Sequence, residues 1–410
     1  MSGPFVSGVN LSYDWRQGLP VLRVRSATLQ EPRLADAAAL FARLSTPAVA
    51  RFMSTPPSSP VGYERFIAWA QHERTLGRHA CLAIVPNGEA EPVGLIQVRQ
   101  LEAGFGGAEW GFALAEDYWG TGLFLESAHA IVDFTCRELH IHRLEARVSV
   151  ENVRGNGVMK KLGASHEGIL RQSFVNATRQ TDQVLWALSG DDWLAAHPHQ
   201  EYERTIPSLL QAPEGPRVSR SQSAVPWRAG LPELRSPAVT LRELRDTDAG
   251  TLAALLGDPD VGRYIAAPPS SAAGVRRFIE WTQDERATGS VICFGIVPPG
   301  LDAAVGILQI HEREAPFHTA EWGFVLGRPY WGTGLFEASA ALLLQFAFET
   351  LGVWRLEARA MAANARANAV LRRVGATDEG HLSRSFLLGG QYHDDVLWAL
   401  LAVDWRQRRR

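Results

Sequence analysis

The sequence predicts two tandem α+β domains of one design, each a mixed, mostly antiparallel sheet flanked by helices, and three observations predict it. The first is an internal repeat. Tyr118–Phe124 reads YWGTGLF, and so does Tyr330–Phe336, which follows by 212 positions (330 − 118). The same spacing relates Trp15 to Trp227, Pro56–Ser59 to Pro268–Ser271, Glu109–Phe112 to Glu321–Phe324, Asn152 to Asn364, Gly163–Ala164 to Gly375–Ala376 and Trp186–Leu188 to Trp398–Leu400. Of 13 tryptophans only Trp354 lacks a counterpart. A period this long exceeds that of solenoid repeats, so each copy is expected to bury a core of its own. The second observation is that, inside each copy, short strand-like runs interchange with stretches of helical apolar spacing. The third is Pro207–Pro226, PSLLQAPEGPRVSRSQSAVP, which is rich in Pro, Ser and Gln and has no periodicity. Such a composition reads as a linker. The expected organisation is therefore domain one over 1–205, a linker over 206–226 and domain two over 227–410.

In the first copy Leu22–Leu29 reads as a strand, and Leu34–Leu44 and Tyr63–Leu76 carry apolar residues at helical spacing. Strands are expected at Ala80–Val85, Val93–Leu101 and Ala108–Leu114, the last alternating bulky and small residues. A Gly-containing turn then opens a helix from Gly122 to about Leu139. A strand over Leu144–Val150, a helix over Val153–Leu162 and strands near His166–Leu170 and Gln183–Leu188 complete the copy. The second copy repeats the order.

The composition excludes several classes of function. Hydrophobic residues make up 46% and charged residues 21% of 410, with a net charge of −3. Nothing here calls for a nucleic-acid or membrane partner. The cysteines Cys81, Cys136 and Cys293 have neither disulfide-framework nor zinc spacing, so no metal is expected and a reducing cytoplasm is the expected location. Met1–Asn10 lacks the pattern of a signal peptide, and no apolar run reaches the ~20 residues a membrane span needs. Arg406 and Arg408–Arg410 are expected to form a solvated basic tail. No GxxxxGK phosphate loop occurs, which weighs against nucleotide hydrolysis.

The chemistry is concentrated where the strand Ala108–Leu114 runs through Trp119-Gly120-Thr121-Gly122 into a helix. A helix N-terminus presents unpaired N–H groups and partial positive charge, which suits a pyrophosphate, and glycines let the backbone approach its oxygens. The order EWGFxL, YWGTG, helix, Asn152, then Lys161-Leu162-Gly163-Ala164 resembles the GNAT superfamily of N-acetyltransferases, in the RimJ/RimL-type branch. The resemblance covers roughly Leu22–Leu188 and Leu234–Leu400. It implies a splayed sheet whose gap admits the pantetheine arm of acetyl-CoA. It further implies a cofactor site made by Phe112, Leu114, Trp119, Gly120, Thr121, Gly122, Leu123, Phe124 and Asn152. In the second copy Phe324, Leu326, Trp331, Gly332, Thr333, Gly334, Leu335, Phe336 and Asn364 would correspond.

The reaction implied is direct attack of an amine on the thioester. A backbone N–H from the Phe112–Leu114 strand would act as oxyanion donor. An amine of pKa near 8–10 is mostly protonated at neutral pH, so a base is useful. Glu109 and Glu321, opening that strand, are candidate bases acting through a water, against the plainer reading of exposed strand glutamates. Asp182 and Asp394, on a late strand, are candidates instead for binding the substrate ammonium or for serving as the base. Two departures from the family matter. Phe124 and Phe336 stand where a small residue is usual, so the ring must point into the core. Gly155 and Ala367 stand where the RimJ/RimL-type N-x-x-S supplies a serine acid, leaving thiolate departure unassisted or helped by a water held at Asn156 or Asn368. The expected function is acetyl transfer to a primary amine of a protein N-terminus or small molecule. The alternatives are a non-catalytic acyl-CoA-binding protein, one active and one structural copy, or an intrachain pseudo-dimer with a composite cleft.

Overall fold

A computed structural model describes residues 13–53, 56–101, 106–176, 179–200, 202–206, 226–266, 269, 271–314 and 317–409. The expected linker lies, apart from 206 and 226, outside the described residues. The described residues fall into two compact units, Met1–His166 with Asn176–Thr178 and Trp186–Ser219, and Glu167–Val175 with Arg179–Leu185 and Arg220–Arg410.

The first repeat runs β1 (Val21–Arg23), β2 (Ala27–Gln30), α1 (Ala37–Leu44), α2 (Pro47–Ala50), α3 (Pro60–Thr75), β3 (His79–Pro86), β4 (Gly94–Gln100), β5 (Gly107–Leu114), α4 (Leu123–Glu138), β6 (Arg143–Ser149), α5 (Val153–Lys161), β7 (Ser165–Asn176), β8 (Arg179–Ser189), α6 (Gly190–Ala196) and β9 (Glu203–Thr205). The strand expected over Leu22–Leu29 is two strands: the chain reverses at Val24–Ser26, and Val24 donates its N–H to the Ala27 carbonyl. β7 and β8 are twice as long as their apolar cores suggested, because their outer halves carry polar residues that period-two reading passes over.

Local chemistry sets the helix ends. Pro60 supplies the fixed φ of a first turn while Ser59 accepts the Gly62 N–H, and Ser271 accepts the Gly274 N–H in the second repeat. Helices α1 and α3 cover one face of the sheet, burying Leu40, Leu44, Tyr63 and Ile67 against Cys81 and Leu95. α4 is buried along most of its length, with Ile131 and Phe134 fully enclosed.

The decisive feature is in the middle of the sheet. β2, β3, β4 and β5 are antiparallel neighbours, and β5 then pairs in parallel with β6. That parallel pairing lasts for only three residues, Gly107 to Glu109 against Arg143 to Glu145. Beyond Glu109 the two strands part, while β5 stays zipped to β4 as far as Leu114. Backbone groups of Trp110–Leu114 on the β6 side are therefore released from the ladder.

The second repeat has the same plan: β10 (Leu234–Ser236), β11 (Val239–Glu243), α7 (Ala249–Leu256), α8 (Pro259–Gly262), α9 (Ala272–Thr288), β12 (Val291–Val297), β13 (Gly306–Glu314), β14 (Thr319–Leu326), α10 (Leu335–Gln345), β15 (Arg355–Met361), α11 (Ala365–Arg373), β16 (Thr377–Leu388), β17 (Gln391–Leu401) and α12 (Ala402–Arg408). Here too β14 pairs with β15 only from Thr319 to Glu321 before the strands diverge. Each repeat is thus a mixed, mostly antiparallel sheet that splays at its one parallel junction, as expected. Arg406 and Arg408 are not a loose tail; they lie in α12, which Trp405 anchors in the core. At the foot of β15, fully enclosed Arg355 pairs with Glu357 at 2.7 Å and with Glu379 at 2.7 Å, so its buried charge is matched by two carboxylates.

Candidate active site

At the end of β5 the chain turns through Trp119–Gly122 into α4. Gly120 and Gly122 have φ of 79° and 90°, and Gly332 and Gly334 have 74° and 81°. This left-handed region favours glycine, and it lets the turn fold back under the helix. The Thr121 hydroxyl fixes the turn, donating to the Tyr118 carbonyl at 2.8 Å and accepting the Leu123 N–H at 3.3 Å. Thr333 does the same between Tyr330 and Leu335. The remaining first-turn amides have no carbonyl within the helix to bond. The Trp119 indole donates to the Leu114 carbonyl at 2.9 Å and ties the turn to the splayed strand, as Trp331 does to Leu326 at 2.7 Å.

The split and the turn open on one cavity in each repeat. In the first, about 250 Å³ is lined by Phe112, Leu114, Trp119, Gly120, Gly122, Phe124 and Asn152 among others. In the second, about 650 Å³ is lined by the counterparts Phe324, Leu326, Trp331, Gly332, Gly334, Phe336 and Asn364. Thr121, Leu123, Thr333 and Leu335 belong to the turns without lining the cavities. The phenylalanine departure resolves itself: Phe124 packs on Phe112 with ring centroids 4.5 Å apart, and Phe336 on Phe324 at 4.4 Å. Both rings are turned into the core, leaving the backbone at the helix start accessible. A Cβ on Gly120, Gly122, Gly332 or Gly334 would meet no protein atom within 4 Å. The space above these turns is open, as an anion resting there requires.

Sequence reading missed the cations of the site. Arg154 lies over the Trp119 ring at 4.7 Å and Arg366 over Trp331 at 3.8 Å, and both line the cavities together with Lys161 and Arg373. The signal was available, since Arg154 and Arg366 recur two residues after the paired asparagines, and Lys161 and Arg373 keep their charge at the same spacing. Positive charge beside a helix N-terminus and glycine turn suits a phosphate ester.

The other expected residues fall as follows. Asn152 and Asn364 line the cavities and cap their helices, accepting the Gly155 and Ala367 N–H groups at 2.9 and 3.1 Å. Glu109 and Glu321 stand at the vertex of each split, as the last residues of β5 and β14 paired across it, and they are not among the cavity-lining residues. Glu109 is held by Arg99 at 2.9 Å, and Glu321 by Arg313. Burial pushes the Glu321 pKa up, but Arg313 and Arg359 outweigh it, so the carboxyl titrates below its ordinary value. Asp182 and Asp394 are not brought to either cavity. Each accepts the N–H of a left-handed residue in its hairpin, Gln172 at 2.9 Å and Arg384 at 2.8 Å. Asn156 spends both amide hydrogens on the Ser149 and Asn152 carbonyls and accepts the Trp186 indole N–H; Asn368 repeats this with Met361, Asn364 and Trp398. Neither amide has a donor left, and a water at either could be held only through the remaining lone pair of the side-chain oxygen. A Cβ on Gly155 would lie 2.8 Å from Asn152 Nδ2, so a serine there would have to displace the cap.

The sequence profile described as "Acetyltransferase (GNAT) domain" matches residues 27–165 and again 238–377. The chain belongs to the GNAT acetyltransferase family. It is a tandem GNAT protein, and its relatives are of the expected RimJ/RimL type. YdaF of Bacillus subtilis, named as a candidate ribosomal N-acetyltransferase, is 29% identical over 173 residues, which cover 41% of this chain and 93% of that protein. The Escherichia coli enzyme that acetylates the alanine of ribosomal protein uS5 is 24% identical over 194 residues, 45% of this chain and 98% of its own. Among solved structures, Mycobacterium smegmatis RimJ in complex with CoA-disulfide is 24% identical, with a TM-score of 0.39, over 42% of this chain and 87% of that one. Each aligns with about one repeat's length of the tandem GNAT chain. Among the described residues, no helix is long and apolar enough to cross a membrane, and no cluster of His, Cys, Asp and Glu could hold a metal ion.

Proposed function

We propose that each GNAT repeat transfers the acetyl group of acetyl-CoA to a primary amine, at a protein N-terminus or on a small molecule. The observation that carries this reading is that the split in the sheet and the glycine turn meet at one cavity, and do so twice. Acetyl-CoA supplies an acyl carbon activated as a thioester. The first-turn amides of α4 and α10, with Arg154 and Arg366, would hold its pyrophosphate. The gap between β5 and β6 would take the pantetheine arm, and a released N–H of Phe112–Leu114 would donate to the acyl oxygen as charge builds on it. The amine reaches the thioester neutral, its ammonium proton lost to solvent; as the C–N bond forms and the C–S bond breaks, the nitrogen's second proton passes through water to Glu109 or Glu321. With Gly155 and Ala367 in place of an acid, the sulfur leaves as thiolate, which a thiol of pKa about 8.5 tolerates.

The test is release of coenzyme A thiol from acetyl-CoA in the presence of N-terminal peptides, polyamines and amino sugars. Amine-dependent release supports the reading. Binding without release to any amine supports a non-catalytic acyl-CoA-binding protein instead.

The two sites are not equal. Glu337 lies in the first turn of α10 and lines the second cavity, where it pairs with Arg373 at 3.0 Å. The first repeat has Leu125 there. A carboxylate in that turn satisfies the cation and repels a phosphate. Glu337→Leu, measured by calorimetry in a chain whose first site is disabled, is expected to tighten acetyl-CoA binding about threefold; unchanged affinity would contradict the placement of the pyrophosphate.

A further inference from the structure

The first repeat contains a second cavity, away from the glycine turn on the outer side of α4, with a volume of about 360 Å³. Pockets that hold small organic ligands begin at roughly 300 Å³. One wall is aromatic. The His197 imidazole stacks on the Trp193 indole with centroids 4.0 Å apart, and His129 meets them at 5.5 and 5.2 Å. Tyr202 completes the lining. It is 7% exposed, its hydroxyl is buried with no hydrogen-bond partner, and burial raises its pKa so that the phenol stays neutral.

The carboxylates of the lining are already matched. Asp133 is held by Arg137 at 2.7 Å and by the Trp193 indole at 3.3 Å, and Glu126 by Arg25 at 2.5 Å and Ser26 at 2.6 Å. No unmatched carboxylate remains to draw a cation. What the cavity offers is flat aromatic surface. The absence of any metal-holding cluster among the described residues sets aside a metal role for the histidines.

The duplication supplies an internal control. At the corresponding positions the second repeat has Ala341 for His129, Gln345 for Asp133 and Arg409 for His197. Arg409 there lies over the equivalent Trp405 ring at 4.7 Å. The helix pair therefore packs without these side chains, and core stability does not explain them in the first repeat. We propose that this cavity is a binding site for a planar compound of one or two aromatic rings, distinct from the transferase site and built from side chains that the second repeat does not carry at the corresponding positions. Leu125 lines both cavities of that repeat, so the first turn of α4 is the partition between them.

The experiment uses the intact chain and indole-3-carboxaldehyde as probe, followed by calorimetry and saturation-transfer NMR with and without excess coenzyme A. Saturable binding that coenzyme A does not displace is expected. His197→Ala, which takes one ring from the stacked wall, should weaken it about fivefold while the melting temperature stays nearly unchanged. His129→Trp, which fills the cavity, should abolish it. Three results would overturn the site: no saturation at millimolar probe, displacement by coenzyme A, or affinity unchanged by His129→Trp.

Discussion

Valine in place of Gly122 is expected to weaken acetyl-CoA binding at the first site about a hundredfold, and valine at Gly334 to do the same at the second, from the loss of two charge-assisted hydrogen bonds. Both glycines cap their helices in the left-handed region, at φ of 90° and 81°, where an L-residue costs about 1–2 kcal/mol. The added Cβ meets no protein atom within 4 Å, so the unit is expected to fold with a modestly lower melting temperature. Its methyl groups would instead stand in the open space over the first-turn amides. Titrating each single variant separates the sites, because the other repeat keeps its turn. A variant that binds acetyl-CoA as the parent does would place the phosphates elsewhere.

The paired substitution Glu109→Gln with Glu321→Gln is expected to lower kcat about a hundredfold while leaving the KM for acetyl-CoA unchanged, the size of a general-base contribution. Each glutamate is also an ion-pair partner, of Arg99 and Arg313, so melting temperature has to be followed beside rate. A fall in stability with full turnover would leave the carboxylates a purely structural role. The pH profile gives an independent check. Because the Glu321 pKa is depressed in the folded chain, its ionised form contributes stability above the unfolded value of 4.5, and this is lost as pH falls through the folded value. Glu321 is therefore ionised throughout the neutral range. With the first site disabled by Gly122→Val, the rise in rate from pH 6 upward should follow the acceptor amine alone and persist in Glu321→Gln. An inflection near pH 6–7 that disappears in that variant would contradict the depressed pKa.

The repeat, the strand and helix order and the position of the glycine turn were legible because they depend on local pattern: apolar spacing and the YWGTG signature written twice. The splay was not a sequence observation in itself. It arises because β5 and β6 lie apart in the chain and share only three paired residues, which no local period records. The missed cations have a different cause. Arg154 and Arg366 read as surface residues on short helices until the tryptophan of the turn is placed beneath them. Asp182 and Asp394 attracted attention as late-strand carboxylates, yet their hydrogen bonds go to left-handed residues ten positions earlier in their own hairpins. The same spacing that marked them also placed those residues within reach.

The reading of the chain as two transferase units turns most directly on calorimetric titration of the full chain with acetyl-CoA. Two sites per chain are expected, the weaker one disappearing in Gly334→Val and the tighter one in Gly122→Val. No heat of binding at millimolar acetyl-CoA would contradict the assignment of the glycine turns as cofactor sites.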